Sequence, residues 1–337
     1  METPRDRIPP SARAGELPRV PLPGSLAALV LLGLFASIGA QGWILAIPCA
    51  LVCGALYSAI RLLRRTVLAD VGGLVCLALV FFLHPDPCGA LIFLSALPAA
   101  VMQLSLYRGR SRLYAIAAAS VSEAALLAAV FFAFCLFTDK SAAVLVRSAA
   151  ETAAAQLAAW TVVTADGVTA RVFSEETALL LVRYTLCLSP SICAVLLFLA
   201  NWFRSLLLRL TVRSLGAGED FLPDGWELRA GPGCAAVFCT ALLTLFLAAT
   251  TQGAQGVYYA ACNVTWTFGC PMALYGASVL VCRIRSLSSV GAFTKVAAVF
   301  LLFMIALAGI TWLIAASALY GAYTAFRSAW HREPHND

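Results

Sequence analysis

The composition of this 337-residue chain is that of a protein embedded in lipid. Its residues are 61% hydrophobic and 12% charged, whereas soluble domains are roughly half apolar and a quarter charged. With 23 basic and 17 acidic residues, a soluble chain of this length could not present a solvated surface. The net charge of +6 does not indicate nucleic acid binding, because most basic residues lie in short segments between apolar runs.

Apolar runs long enough to cross a bilayer recur along the chain. A spanning helix needs about 20 apolar residues, and about nine runs approach that length. They cover residues 22–39, 43–60, 67–83, 88–107, 113–137, 177–203, 234–251, 257–282 and 296–326. The last run is too long for one upright span and too short for two, so we interpret it as one tilted helix. The sequence predicts an all-α fold, a polytopic transmembrane bundle of eight or nine spanning helices.

The connections between these runs alternate in charge. Arginines occupy the N-terminal tail, 1–21, and then every second connection, whereas the intervening turns near Gln41, His84 and Gln252 carry no Lys or Arg. Basic residues concentrate on the cytoplasmic side of short loops. The pattern therefore predicts a cytoplasmic N-terminus and places the long fifth connection outside.

This topology divides the chain into two groups of spans. The first group covers 22–137 with five spans, and the second covers 177–326 with four. Between them, 138–176 is predicted to be extracytoplasmic, with a short helix in its Ala-rich stretch. Residues 204–233 are predicted to form a cytoplasmic amphipathic segment on the inner leaflet, the alternative being a basic flank followed by a loop. The tail 327–337 follows the last span.

Several polar residues fall inside apolar runs, where they are costly and indicate a functional or structural site. The ionisable ones are Glu123, Arg183 and Asp70, and the amides are Gln103, Asn201 and Asn263. Glu123 is predicted to face the protein interior. It is interpreted as one half of a structural ion pair with Arg183, with a proton or ligand site and a neutral, hydrogen-bonded carboxyl as alternatives. The amides are interpreted as interhelical hydrogen-bonding groups first and ligand contacts second.

A proline interrupts every second predicted span. These candidate kinks are Pro48, Pro98, Pro190 and Pro271. Each proline frees a carbonyl group that must be satisfied within the membrane, and transporters often place their sites at broken helices. The pattern predicts a common polar cavity bordered by these helices. The alternative is that neighbours such as Ser189, Ser191 and Cys270 satisfy each kink locally.

No sequence motif indicates catalysis. The chain has no phosphate-binding GxxxxGK[ST] loop, no HExxH zinc helix and no GxSxG nucleophile turn. Its three histidines, His84, His331 and His335, are too scattered to indicate a metal site. We therefore expect no enzymatic activity and no cofactor or metal.

Three segments resemble the YybS-like family of bacterial multi-pass membrane proteins, whose biochemical role is not established. They are HPDPCGALIFLSALPAAVMQLSLYRGRSRLYAIAAAS at 84–120, FLPDGWELRAG at 221–231 and YYAACNVTWTFGCPMALYGASVLVCRIRS at 258–286. The chain departs from the family pattern at Gly225, where the family has tryptophan. The resemblance implies the helical fold and a bacterial inner membrane, and it transfers no catalytic residue.

The function predicted from these features is that of a small-molecule carrier or substrate-binding membrane subunit. Glu123 and the proline pattern favour it. The alternative is a non-transporting membrane scaffold or interaction protein, favoured by the amphipathic segment and the long outer connection. The expected partners are the lipid bilayer and either a small molecule or a membrane protein, and no nucleic acid.

Overall fold

The computed structural model describes residues 22–64, 67–84, 86–108, 110–163, 169–214, 228–251, 254–286 and 313–330. Its helices are α1 Leu22–Gly39, α2 Trp43–Arg64, α3 Val67–Leu83, α4 Pro87–Leu94, α5 Ala96–Tyr107, α6 Arg112–Phe137, α7 Ala142–Ala158, α8 Glu175–Ser214, α9 Pro232–Thr250 and α10 Gln255–Ser286. Residues 313–330 are also helical and are named α11. Two strands, β1 Thr161–Val163 and β2 Thr169–Arg171, lie between α7 and α8.

Within the described residues, five helical segments are long and apolar enough to cross a membrane. They are Cys88–Leu106, Arg112–Phe137, Glu175–Thr211, Pro232–Thr250 and Gln255–Arg283. Their outer surfaces carry large apolar side chains such as Val121 and Phe246, which fits lipid as the surrounding solvent. The chain is thus a helical protein with several candidate membrane spans. Eight or nine spans stays a prediction, because shorter apolar helices account for three runs and much of 296–326 lies outside the described residues.

The described residues are mainly helical, as predicted, and they also contain one antiparallel hairpin, formed by β1 and β2. Thr161 pairs with Arg171 and Val162 pairs with Ala170. The strands contain threonine and valine, whose branched side chains favour extended backbone. The helix predicted in the Ala-rich stretch before them is present as α7, and its first turn is capped by the Ser141 hydroxyl, which accepts from the Val144 N–H.

The chain divides into two compact units. The first unit comprises Met1–Glu123, Leu197–Pro232 and Pro271–Asp337, and the second comprises Ala124–Leu196 and Gly233–Cys270. The chain passes from one unit to the other within α6, α8 and α10. This division differs from the two groups of spans that the charge pattern predicts, because it follows contacts in space and not order along the chain.

Small residues form much of the core of the first unit, where α1 to α5 pack together. The buried residues of this core are Ala28, Leu32, Ala36, Ala40, Ala50, Cys53, Leu56, Tyr57, Ile60, Leu77, Val80, Ile92, Ala96 and Ala99. Helices in lipid associate through close packing and interhelical hydrogen bonds, which small side chains permit. One such bond links α2 to α5, where the Ser58 hydroxyl donates to the Ala99 carbonyl at 3.0 Å.

Two glycines bring α10 and α11 into backbone contact within the first unit. A Cβ on Gly276 would lie 1.9 Å from the Ser317 carbonyl oxygen, and one on Gly321 would lie 2.2 Å from the Met272 carbonyl oxygen. No other residue type fits either position without moving a helix.

Candidate functional site

A cluster of polar side chains joins α6 to α8 inside the first unit. Ser120 and Glu123 lie three residues apart on α6, and Asn201 and Arg204 lie three residues apart on α8. Residues at this spacing share a helix face. We call these four residues the charged cluster.

Asn201 is the centre of the charged cluster. Its amide nitrogen donates to Glu123 Oε2 at 2.7 Å and to the Leu197 carbonyl at 2.9 Å. Its amide oxygen accepts a short hydrogen bond from Arg204 Nη1. Asn201 is fully buried, so every polar atom of its amide must find a protein partner. The side chain therefore holds the carboxylate and the guanidinium in fixed positions.

Glu123 and Arg204 form an ion pair. Arg204 Nη1 lies 3.5 Å from Glu123 Oε2, and 2% of the Arg204 side chain and 16% of the Glu123 side chain are exposed. A charge removed from water in this way is costly unless an opposite charge accompanies it. The pair thus allows two ionisable residues to lie among membrane helices.

Gly54 of α2 makes room for the Arg204 side chain. A Cβ at Gly54 would lie 2.7 Å from Arg204 Nε. Within the described residues, this Nε has no hydrogen-bond partner although it is buried. The guanidinium is therefore satisfied on the side of Asn201 and Glu123 and is packed against bare backbone on the other.

A second buried arginine joins the same two helices. Arg112 begins α6, and its Nε and Nη2 atoms donate to the Ser205 hydroxyl at 3.2 and 2.8 Å. The Ser205 hydroxyl in turn donates to the Trp202 carbonyl at 2.6 Å. Arg112 and Arg204 are both buried, and they fix α6 against α8 at two heights.

The prediction that Glu123 faces the protein interior is confirmed, but its ionic partner is Arg204 and not Arg183. Arg183 belongs to the second unit, and its side chain is exposed. Arg204 directly follows the apolar run at 177–203 and is part of the basic flank, so hydropathy does not mark it as a residue inside the helix bundle. Asn201, Arg204 and Ser205 form a polar group at the end of this run, which is a signal for a polar contact but does not identify Glu123 as the partner.

Residues 204–214 of the predicted amphipathic segment belong to a longer helix, and the placement of the segment on the inner leaflet stays a prediction. The apolar run and the basic flank form one 40-residue helix, α8, which continues to Ser214. Arg204, Ser205 and Leu208 are buried, whereas Phe203 and Leu210 are 48% and 60% exposed. The buried face of this part of α8 therefore carries both polar and apolar side chains. Residues 215–227 of the predicted segment lie outside the described residues.

Asn263 fills the break that Pro190 makes in α8, within the second unit. Its Oδ1 accepts from the Ser191 N–H at 3.1 Å, and its Nδ2 donates to the Cys187 carbonyl at 2.8 Å. The amide therefore replaces a main-chain hydrogen bond of α8. The carbonyl one turn before the proline, that of Leu186, accepts from the Ser189 hydroxyl at 2.8 Å. The kink is satisfied by protein groups, which is the alternative that the sequence left open.

The other candidate kinks lie in different surroundings. Pro98 is buried on α5, just after the break at Ser95 that divides the predicted run 88–107 into α4 and α5. Pro48 is exposed on α2, and Pro271 is half-buried on α10. A groove of about 520 Å³ in the second unit is lined by residues of α9 and α10 between Ala236 and Val264, and none of the four prolines lines it. The common cavity stays a prediction.

The two remaining candidates are not joined to the charged cluster by any described contact. Gln103 is half-buried on α5. Asp70 lies on α3, and its side chain is outside what the structure describes. The structure therefore brings together Glu123 and Asn201 from the predicted set and adds Ser120 and Arg204.

The chemistry of the charged cluster suits the binding of a proton, a cation or a hydrogen-bond donor at the Glu123 carboxylate. Glu123 Oε2 accepts from Asn201 and faces Arg204, and 16% of the Glu123 side chain is exposed. A proton, a cation or a donor group of a ligand could compete with Arg204 for this carboxylate, because all three are attracted to the same oxygens.

Comparison with known proteins gives no match to a family model, a curated protein or a solved structure. The resemblance to the YybS-like family consequently stays a prediction.

Proposed function

We propose that this chain is a small-molecule carrier or a substrate-binding membrane subunit whose polar site is the charged cluster. The observation that supports the proposal is the Glu123–Arg204 pair, which lies inside helices that are apolar enough to span a membrane. Ionisable side chains in such a setting commonly mark ligand and ion pathways. No enzymatic activity is part of the proposal.

The placement in the cell is also proposed. The alternating arginines favour a bacterial inner membrane protein with a cytoplasmic N-terminus. On this topology, Arg112 and Arg204 lie toward the cytoplasmic end of α6 and α8, and α7 lies outside.

The proline kinks contribute little to this proposal. At Pro190, Ser189 and Asn263 satisfy the broken helix without a ligand or a cavity. The carrier hypothesis therefore depends on the partly exposed side chain of Glu123. This dependence makes the hypothesis testable at a single residue.

Native mass spectrometry of the full chain in gently solubilised membranes tests the proposal. We expect a small-molecule adduct on the wild-type protein and a reduction of about tenfold in adduct occupancy for Glu123→Gln, equivalent to about 1.4 kcal/mol of binding free energy. The matched control is Glu151→Gln, which removes an exposed carboxylate paired with Arg147 at 3.0 Å. Equal adducts on all three proteins, or an adduct on none of them, would contradict the proposal.

A membrane scaffold is the second candidate. The segment between α6 and α8 favours it, because it places the 17-residue helix α7 and a hairpin beside the spans. If the chain is a scaffold, deleting α7 should release a co-purifying membrane protein, while Glu123→Gln should leave that association unchanged.

A further inference from the structure

The hairpin formed by β1 and β2 has one apolar face and one polar face. Side chains alternate between faces along a strand, and directly opposed residues share a face. Val162 is opposed to Ala170, and the Val172 N–H donates to the Trp160 carbonyl at 2.9 Å, which continues the ladder by one pair. The apolar face therefore carries Trp160, Val162, Ala170 and Val172.

The opposite face is polar. The register places two directly opposed pairs on it, Thr161 with Arg171 and Val163 with Thr169, so three of its four residues are polar. Arg171 Nη1 lies 3.6 Å from Oε1 of Glu175, the first residue of α8, and both side chains are largely exposed. This face suits water, and the ion pair fixes it beside the start of the helix.

The apolar face is exposed in the chain itself. Trp160 is 63% exposed, Val162 is 56% exposed and Val172 is 44% exposed. A two-stranded hairpin is marginally stable in water unless its hydrophobic face packs on something. Three large, exposed apolar side chains on one face of so short a hairpin indicate that lipid or another molecule covers this face in the cell.

The short connection between β2 and α8 limits how far the hairpin can lie from the start of α8. Only 172–174 separate β2 from α8, whose segment Glu175–Thr211 is long and apolar enough to cross a membrane. Three residues span at most about 10 Å. The hairpin therefore lies within about 10 Å of the first residue of α8. Near the end of a membrane span tryptophan is enriched, because its ring is apolar and its N–H is polar.

We propose that the apolar face of this hairpin lies in the lipid headgroup layer, with Trp160 as its anchor. The polar face then points to water, and the Arg171–Glu175 pair lies at the surface. In this position the hairpin sets the depth at which α8 enters the membrane. The proposal does not depend on the charged cluster or on any transported molecule.

Fluorine NMR of the full chain tests this placement. The protein is labelled with 5-fluorotryptophan and placed in phosphatidylcholine nanodiscs, and the resonance missing from Trp160→Phe assigns Trp160. Trp160→Tyr provides the same assignment if the first variant folds poorly. We expect lipids carrying a doxyl group near the headgroup to broaden this resonance several-fold more than a water-soluble gadolinium chelate does.

The double variant Trp160→Phe/Thr161→Trp is the matched control, because it moves the indole to the polar face. Its resonance should respond to the gadolinium chelate more than to the doxyl lipid. A wild-type Trp160 resonance that responds mainly to the chelate would overturn the proposal. So would one that neither agent broadens, because another protein surface would then cover the face.

Discussion

Glu123→Leu removes the carboxylate beside the buried Arg204 guanidinium and leaves the guanidinium in place. Arg204 would keep its hydrogen bond to Asn201 but lose its counter-charge at 3.5 Å, and Asn201 would lose an acceptor at 2.7 Å. Removing one partner of a buried ion pair costs about 3–5 kcal/mol. Because 16% of the Glu123 side chain is exposed, we expect the lower end of that range, about 3 kcal/mol.

The free energy of unfolding of the full chain in bicelles, measured by SDS titration and circular dichroism, gives this quantity. Glu123→Gln should lose less, about 1–2 kcal/mol, because its amide oxygen can still accept from Asn201. The double variant Glu123→Leu/Arg204→Leu should be more stable than Glu123→Leu alone, since an apolar pair leaves no unpaired charge. Glu151→Leu, at an exposed pair, should change stability by about 0.5 kcal/mol or less.

Two results would refute the reasoning. One is a Glu123→Leu protein within about 1 kcal/mol of the wild type, a difference typical of ordinary surface or mild core changes. The other is a double variant less stable than Glu123→Leu, which would show that Arg204 contributes through its packing against Gly54 and not through its charge.

The remaining predictions concern helix packing and topology. Asn263→Leu should leave the Ser191 N–H and the Cys187 carbonyl without the partner that the Asn263 amide provides. We expect the free energy of unfolding to fall by about 2–3 kcal/mol and amide hydrogen exchange next to Pro190 to become faster. Unchanged exchange there would contradict the bridging role of Asn263. Gly276→Ala should lower the free energy of unfolding by about 1–3 kcal/mol through overpacking. Gly256→Ala is the control, because the space around its Cβ position is open. Equal effects of the two substitutions would refute the close contact at Gly276. Reporter fusions after Gln156 should read outside and fusions after Leu215 should read inside, and the same side for both would contradict the topology.

The positions of the membrane helices could be predicted because hydropathy is a strong signal over about 20 residues. Their ends could not be predicted as well. The run at 177–203 was expected to end near Arg204, but α8 continues to Ser214. A helix ends where its main-chain hydrogen bonds end, and a buried arginine with polar partners does not interrupt them.

Glu123 could be identified from the cost of a carboxylate in an apolar run, but its partner could not. Pairing depends on which faces of α6 and α8 meet, and a single sequence does not give that information. Arg183 and Arg204 are the same residue type on the same helix, yet one is exposed and the other is buried. The hairpin was missed for another reason. Its Asp166–Gly167 turn signal and its valine and threonine residues were present, but the strands are three residues long.

The Glu123–Arg204 pair also has a consequence for the response of the protein to the transmembrane electric field. With both groups ionised, the pair has no net charge, so the field does little work when the two side chains move together. Neutralising Glu123, by a proton or by substitution with glutamine, leaves the single positive charge of Arg204. Moving one elementary charge across the whole membrane against a potential of 100 mV requires about 2.3 kcal/mol, so smaller movements require a fraction of that energy. On the proposed membrane placement, the carboxylate of Glu123 would therefore determine whether membrane voltage acts on this part of α8.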